Sequence, residues 1–259
     1  QFPVVIGNPP YSGRSYNLTA SARAMVERYK TIAGEQIKEK GSLQLEKNLN
    51  DDYVKFICLT QILTENHPAV AGLITNHSFL ENLTLRGLRW HLLEQYSHIT
   101  LLDLGGNVAR REKGEDENVF DITQGVAISL FASPPKSSAV VVDINRLRGR
   151  RDEKYESLSH GNTALLQFTH TAPVGPLFLF RSEDASVRTE YYSGTGLTEL
   201  FPLNSTGVKT HRDAFCIDFD LAPLKQRIAD LVALELSDDE IREKYGLSDT
   251  HGWALEPCR

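Results

Sequence analysis

The chain has 259 residues, 41% of them hydrophobic, enough for one substantial core and a second, smaller module. Its formal net charge of −6 excludes broad electrostatic wrapping of nucleic acid, so any contact with phosphates has to be local. Cys58, Cys216 and Cys258 are far apart and odd in number, which rules out a CxxC metal or redox site.

No apolar run reaches the roughly 18 residues that a bilayer span needs, and nothing near Gln1 resembles a signal peptide, so a cytoplasmic protein without a membrane partner is expected. The chain opens without an initiator Met on an apolar strand pattern, Phe2 to Ile6, and reads as a fragment of a longer polypeptide. That strand runs into Gly7-Asn8-Pro9-Pro10-Tyr11, where two prolines end it and leave a stiff loop at its carboxyl end.

Residues 21–40 read as a charged helix and 41–50 as a polar connector. Asp51 and Asp52 then start a helix whose apolar face is Tyr53, Phe56, Ile57, Leu59, Ile62 and Leu63, ending near His67-Pro68. A strand over 70–75, a helix over 80–96 and a strand over 99–104 follow, the last stopping at Gly105-Gly106. This alternation implies parallel strands with crossover helices, the layout in which ligands gather outside the carboxyl ends of the strands. After a charged loop over 107–118, the apolar strand 125–131 is expected to run antiparallel, because no helix separates it from its partner.

Pro134-Pro135 breaks the pattern, and a boundary is expected there between an α/β half-domain over 1–134 and a mixed α+β connector over 135–259. Val140 to Val142 form a short strand, and Arg146, Arg148, Arg150 and Arg151 lie in a Gly-containing loop that suits a solvated turn or a phosphate site equally. Arg148, Arg150 and Arg151, with Lys209 farther on, are the candidate phosphate contacts. Residues 221–236 have helical apolar spacing, and Ser237 to Glu240 fit a capping box for a helix ending at Tyr245-Gly246.

The Asn-Pro-Pro-Tyr loop carries the chemistry. An exocyclic amine on adenine is a poor nucleophile because its lone pair is delocalised into the ring. The side-chain oxygen of Asn8 and the backbone carbonyl of Pro9 can each accept from such an amine and draw it toward a tetrahedral shape. Pro9 and Pro10 hold those acceptors in place beforehand, and Tyr11 offers a flat face on which an unstacked base can rest. The chemistry needs no metal, since an activated sulfonium methyl requires only position and electrostatics.

Several segments in order carry a family resemblance: Val5-Ile6-Gly7-Asn8-Pro9-Pro10-Tyr11-Ser12; Glu46-Lys47-Asn48 leading to Asp51-Asp52-Tyr53-Val54-Lys55-Phe56-Ile57; and Ile74-Thr75-Asn76-His77-Ser78-Phe79-Leu80. Asp103-Leu104-Gly105-Gly106-Asn107 continues it, as does Glu117-Asn118-Val119-Phe120-Asp121-Ile122 with Gln124-Gly125-Val126-Ala127-Ile128. A weaker stretch is Gly207-Val208-Lys209-Thr210-His211-Arg212-Asp213.

The chain resembles the methyltransferase region of adenine-specific DNA methyltransferases fused into restriction–modification proteins, the type IIG and type ISP groups. The resemblance implies a seven-stranded Rossmann-like sheet, here without its first strands. It implies Asn8 and Pro9 on the target amine, Tyr11 stacked on the flipped adenine, and Phe120 as a second aromatic against the base, a position equally suited to a core phenylalanine. It further implies S-adenosylmethionine as cofactor, with Asn8 beside it and a glycine loop upstream of the motif that this sequence lacks, so the isolated fragment is expected to be inactive. The implied partners are double-stranded DNA and further fused restriction–modification domains, with target recognition expected mainly past Arg259.

Three alternatives stand beside this. The same motif serves glutamine-modifying protein methyltransferases. Asp143 with Asp152-Glu153-Lys154 loosely imitates the acidic pair and lysine of a metal-dependent nuclease. Residues 238–248 have the look of a helix-turn-helix start, although a capped packing helix suits their acidic surface better.

Overall fold

In the computed structural model the first 182 residues form β1 (Val4–Gly7), α1 (Ala20–Val26), β2 (Thr31–Ile32), β3 (Glu35–Gln36), α2 (Leu45–Leu49) and α3 (Asp52–Thr64). They continue with β4 (Ala69–Asn76), α4 (Arg86–Gln95), β5 (His98–Gly105), β6 (Val126–Ser133), β7 (Val141–Arg146), α5 (Arg151–Ser159) and β8 (Thr169–Thr171). The structure describes residues 3–11, 15, 17–38, 44–107, 116–133, 140–159, 166–182, 185–203, 210–250 and 253–258. Two units divide the chain, Gln1–Tyr191 and Tyr192–Arg259.

Six strands make one mixed α/β sheet in the order β1-β4-β6-β5-β7-β8. β1 lies parallel to β4 and β5 parallel to β7, each pair joined by a crossover, while β6 runs antiparallel between β4 and β5 as expected. Residues paired across strands share a face. The row Val5, Ala71, Phe131, Ile99 and Val142 therefore points to one side, where α3 and α4 add Val54, Ile57, Cys58, Leu88 and Leu92 to a closed core. Each fully buried leucine there stabilises by about 1.5–3 kcal/mol. On the other face Leu102, Leu104, Val119 and Val126 form a smaller cluster, whereas Val4, Ile6, Val70 and Leu130 stay exposed.

The sheet does not stop at 134. β7 and β8 extend it, Phe180 is fully buried in the main core, and Arg89 of α4 reaches the same segment. Its guanidinium donates to the carbonyls of Leu177, Phe79 and Asn82, and burial pulls its pKa down to about 9. The division into compact units thus falls at Tyr191/Tyr192 rather than after 134; Pro134-Pro135 itself lies outside the described residues.

Two local expectations are corrected. In place of one long helix, the described residues up to 38 hold α1 and a short 3-10 turn before a β2–β3 hairpin, because Ala33 and Gly34 adopt φ of 50° and 83° and turn the chain back. In α3 the buried side is Tyr53, Val54, Ile57 and Cys58, leaving Phe56, Leu59, Ile62 and Leu63 exposed. That helix is apolar on both sides, and its polar residues decide the facing: Gln61 accepts from buried Tyr29 at 2.6 Å, and Lys55 donates to the Asn17 carbonyl at 2.6 Å.

The second unit contains α7 (Leu197–Leu200), α8 (Asp213–Cys216), α9 (Leu221–Ala233) and α10 (Asp238–Tyr245), with α6 (Ala185–Ser193) across the division. Phe215, Ile241, Leu247 and Leu255 form its core. The Ser237–Glu240 capping box is present, and Gly246 closes α10 at φ 62°. Among the described residues a Thr250–Trp253 bridge and a three-residue 3-10 turn, Glu256–Cys258, follow α10, and no second helix of a helix-turn-helix does. No helix of the described residues is long and apolar enough to cross a membrane.

Candidate active site at the carboxyl rim of the sheet

The carboxyl ends of β1, β4 and β5 and the amino end of β6 share one rim, because Gly7 pairs with Leu73, Asn76 with Val126, and Gly105 with Val126. Past it Asn8 is exposed, Pro9 buried, Pro10 exposed and Tyr11 half-buried. Gly7 permits the tight exit, since a Cβ there would sit 3.1 Å from the Leu73 side chain. Asn8 thus presents its amide to solvent while Pro9 anchors the loop.

Tyr11 and Phe120 come together across the rim, with ring centroids 5.9 Å apart and planes at 56°. Both pack on the Leu102–Leu104–Val119–Val126 cluster. The Tyr11 hydroxyl is buried without a hydrogen-bond partner, and burial pushes its pKa up to about 12, so it stays a protonated donor at neutral pH. Phe120 is half-buried, packed against that cluster without being sealed inside it.

Asn118 shapes the loop before Phe120. Its buried amide nitrogen donates to the carbonyls of Gly106, Ile122 and Gln124 at 3.0, 3.0 and 2.7 Å, and its oxygen accepts from the Phe120 amide at 3.0 Å. One residue thereby satisfies four backbone groups that would otherwise be orphaned in a buried loop.

A polar hub beside this loop escaped the sequence reading. Asp103 Oδ1 accepts from His77 Nδ1 at 2.9 Å and from the Gly105 amide at 3.0 Å, and Oδ2 accepts from Arg148 Nη2 at 2.5 Å. Burial would raise the Asp103 carboxyl, but the His77 hydrogen bond and the Arg148 charge outweigh it and hold the group well below the usual carboxylate range. His77, Glu81, Asp103, Asp116, Arg146 and Arg148 line a cavity of ≈ 700 Å³ at this end of the sheet. A signal was available: Asp103 is a charge inside the apolar run Ile99 to Leu104, and a buried charge requires a partner.

The arginines expected as phosphate contacts are largely engaged internally. Arg146 pairs with Glu81, Arg148 with Asp103, and Arg151 with Asp121 at 2.8 Å and with the Asn118 carbonyl at 2.7 Å. Arg150 is the most exposed and lies 3.4 Å from Asp152. Lys209 is outside the described residues. The nuclease constellation is not assembled: Lys154 is fully buried and donates to Leu104 O, Glu117 O and Asp116, while Asp143 faces His170 and Asp152 is exposed.

Residues 1–109 match the family described as Eco57I restriction-modification methylase, and residues 199–257 match the Type ISP C-terminal specificity domain. The match to a specificity domain thus starts well before Arg259. No curated protein matches the chain.

Three solved structures share the fold. A nuclease-deletion mutant of the Type ISP restriction-modification enzyme LlaGI with a DNA substrate mimic is 17% identical, with a TM-score of 0.62 over 98% of this chain and 26% of that one. The ATP-dependent Type ISP enzyme LlaBIII bound to DNA is 21% identical, with a TM-score of 0.59 over 96% of this chain and 18% of its own. The DrdV–DNA complex is 21% identical, with a TM-score of 0.57 over 98% of this chain and 26% of that one. The chain thus spans about a quarter or less of these proteins.

Proposed function

We propose that this chain, matched in its first part by a restriction–modification methylase and near its end by a Type ISP specificity domain, belongs to a DNA N6-adenine methyltransferase. The observation that carries the reading is one arrangement. An exposed Asn8 amide and the Pro9 backbone stand at the carboxyl rim of the sheet, on the same loop as Tyr11, whose ring lies 5.9 Å from that of Phe120.

Asn8 Oδ1 and the Pro9 carbonyl accept the two hydrogens of the adenine amino group and turn its lone pair outward. Tyr11 and Phe120 receive the face of the extruded base and offset about 1–3 kcal/mol of lost stacking. The DNA acted on is double-stranded, residues 199–257 contribute to choosing its sequence, and the enzyme works in the cytoplasm, fused to further restriction–modification domains.

The described residues carry the amine side of the reaction. The methyl donor is S-adenosylmethionine, whose sulfonium makes the methyl electrophilic. The described residues do not fit it by themselves: the Gly105 and Gly106 amides, the glycine donors at this rim, are already bonded to Asp103 and Asp116. Among the described residues Asn8 is the one placed to approach the donor, and the isolated fragment is expected to be inactive.

The test is the product. The full-length polypeptide, given S-adenosylmethionine and unmethylated duplex DNA, is expected to yield N6-methyladenine on nucleoside analysis. Methylation of cytosine alone, or of a protein glutamine alone, overturns the reading.

A further inference from the structure

The loop that carries Phe120 is gripped from outside the matched methylase segment. After β7, Gly149 turns the chain at φ 122° and α5 begins. Arg151, Lys154 and Tyr155 are spaced i, i+3 and i+4, which places them on one face of that helix. Each of them donates to backbone carbonyls of the loop in strict succession. Lys154 Nζ reaches Glu117 O at 2.5 Å, Arg151 Nε reaches Asn118 O at 2.7 Å, Tyr155 Oη reaches Val119 O at 2.6 Å, and Arg151 Nη2 reaches Phe120 O at 3.2 Å.

The grip is reciprocal. The Glu117 amide donates to Gly149 O at 3.0 Å, and the Arg151 amide donates to the Glu117 carboxylate at 2.9 Å. Lys154 also ties to Asp116 at 2.6 Å and to Leu104 O at 2.7 Å at the end of β5, so the loop is fixed to the sheet as well as to the helix. A side chain that binds carbonyls sets backbone position and leaves the loop's own side chains free. Four consecutive carbonyls held this way define where the Phe120 ring stands relative to Tyr11.

We propose that α5 is the positioning element for Phe120: Arg151, Lys154 and Tyr155 hold the second wall of the base pocket at stacking distance from Tyr11. The inference rests on the base-holding reading above, and it gives the arginine-rich turn a different task from contacting phosphate. These residues touch no substrate. They act through Phe120, and their loss leaves the amine acceptors on Asn8 and Pro9 in place.

The experiment uses the full-length polypeptide with two duplexes, an unmodified one for methyl transfer and one with 2-aminopurine in place of the target adenine for fluorescence. Arg151→Ala is expected to lower methyl transfer about tenfold and to reduce the fluorescence rise that reports the extruded base, with S-adenosylmethionine affinity unchanged. Arg151→Lys restores part of both signals, and Tyr155→Phe, which removes one donor and little volume, gives a smaller loss of the same kind. The deciding comparison is the Phe120→Ala background, where Arg151→Ala has no further effect because its target is gone. Equal losses in both backgrounds, or an Arg151→Ala enzyme with wild-type transfer and fluorescence, overturn the positioning role. Retained transfer in an Asn8→Ala enzyme is a separate failure, of the base-holding reading itself.

Discussion

Buried Asp103 pairs with half-buried His77 at the carboxyl rim, Oδ1 to Nδ1 at 2.9 Å, and the backbone behind the ring is glycine for a steric reason. A Cβ on Gly125 would lie 2.4 Å from His77 Cε1 and Nε2 and 2.8 Å from the Gly105 carbonyl. Gly125→Ala is therefore expected to push the imidazole off Asp103 and to destabilise the chain by about 1–3 kcal/mol. Chemical denaturation at neutral pH checks it; a midpoint equal to wild type contradicts the packing described.

The same pair makes stability depend on pH. The folded-state pKa of Asp103 is depressed, so its contribution is present above the unfolded carboxylate value near ~4 and is lost as pH falls below it toward the folded value. The stability gap between wild type and Asp103→Asn should be at its full value above pH ~5 and shrink steadily below pH ~4. A gap that stays constant down to pH ~3 shows that the carboxylate is not held by His77 and Arg148.

Lys154 is fully buried, and Asp116 and two carbonyls take all three of its donors. Lys154→Met removes these bonds and leaves Asp116 held by the Gly106 and Gly149 amides, at a cost of about 1–3 kcal/mol. The change in unfolding free energy measures this, and a value below ~0.5 kcal/mol means the ion pair is not formed.

Tyr11 has a buried hydroxyl with no partner, so the ring and the hydroxyl separate cleanly. Tyr11→Phe should leave methyl transfer by the full-length enzyme within a few-fold of wild type and stabilise the chain by up to about 1 kcal/mol. Tyr11→Ala should lose transfer by about tenfold or more, since the stacking face disappears. Equal losses in the two variants point to a chemical role for the hydroxyl instead.

Much of the sheet was legible because its strands are short apolar runs bounded by glycine or proline. β1, β4, β5 and β6 fall within two residues of expectation, and the antiparallel run of β6 follows from the missing crossover helix. The rim loop was legible because Pro9 and Pro10 fix its shape locally. What failed depends on distant partners. The facing of α3 is ambiguous in a helix apolar all round, and the extent of the first unit depends on Phe180 and Leu177 returning to α4. The roles of Arg148 and Arg151 were hidden because a basic cluster reads alike whether it faces phosphate or the protein's own carbonyls and carboxylates.

The most direct measurement is transfer of labelled methyl from S-adenosylmethionine to duplex DNA by the full-length polypeptide carrying Asn8→Ala, alongside its thermal melt. Loss of the side-chain acceptor is expected to cut transfer by about a hundredfold or more with melting unchanged, as for other single preorganised hydrogen-bonding groups at a reacting centre. Adenine methylation at wild-type rate in a folded Asn8→Ala enzyme contradicts the account.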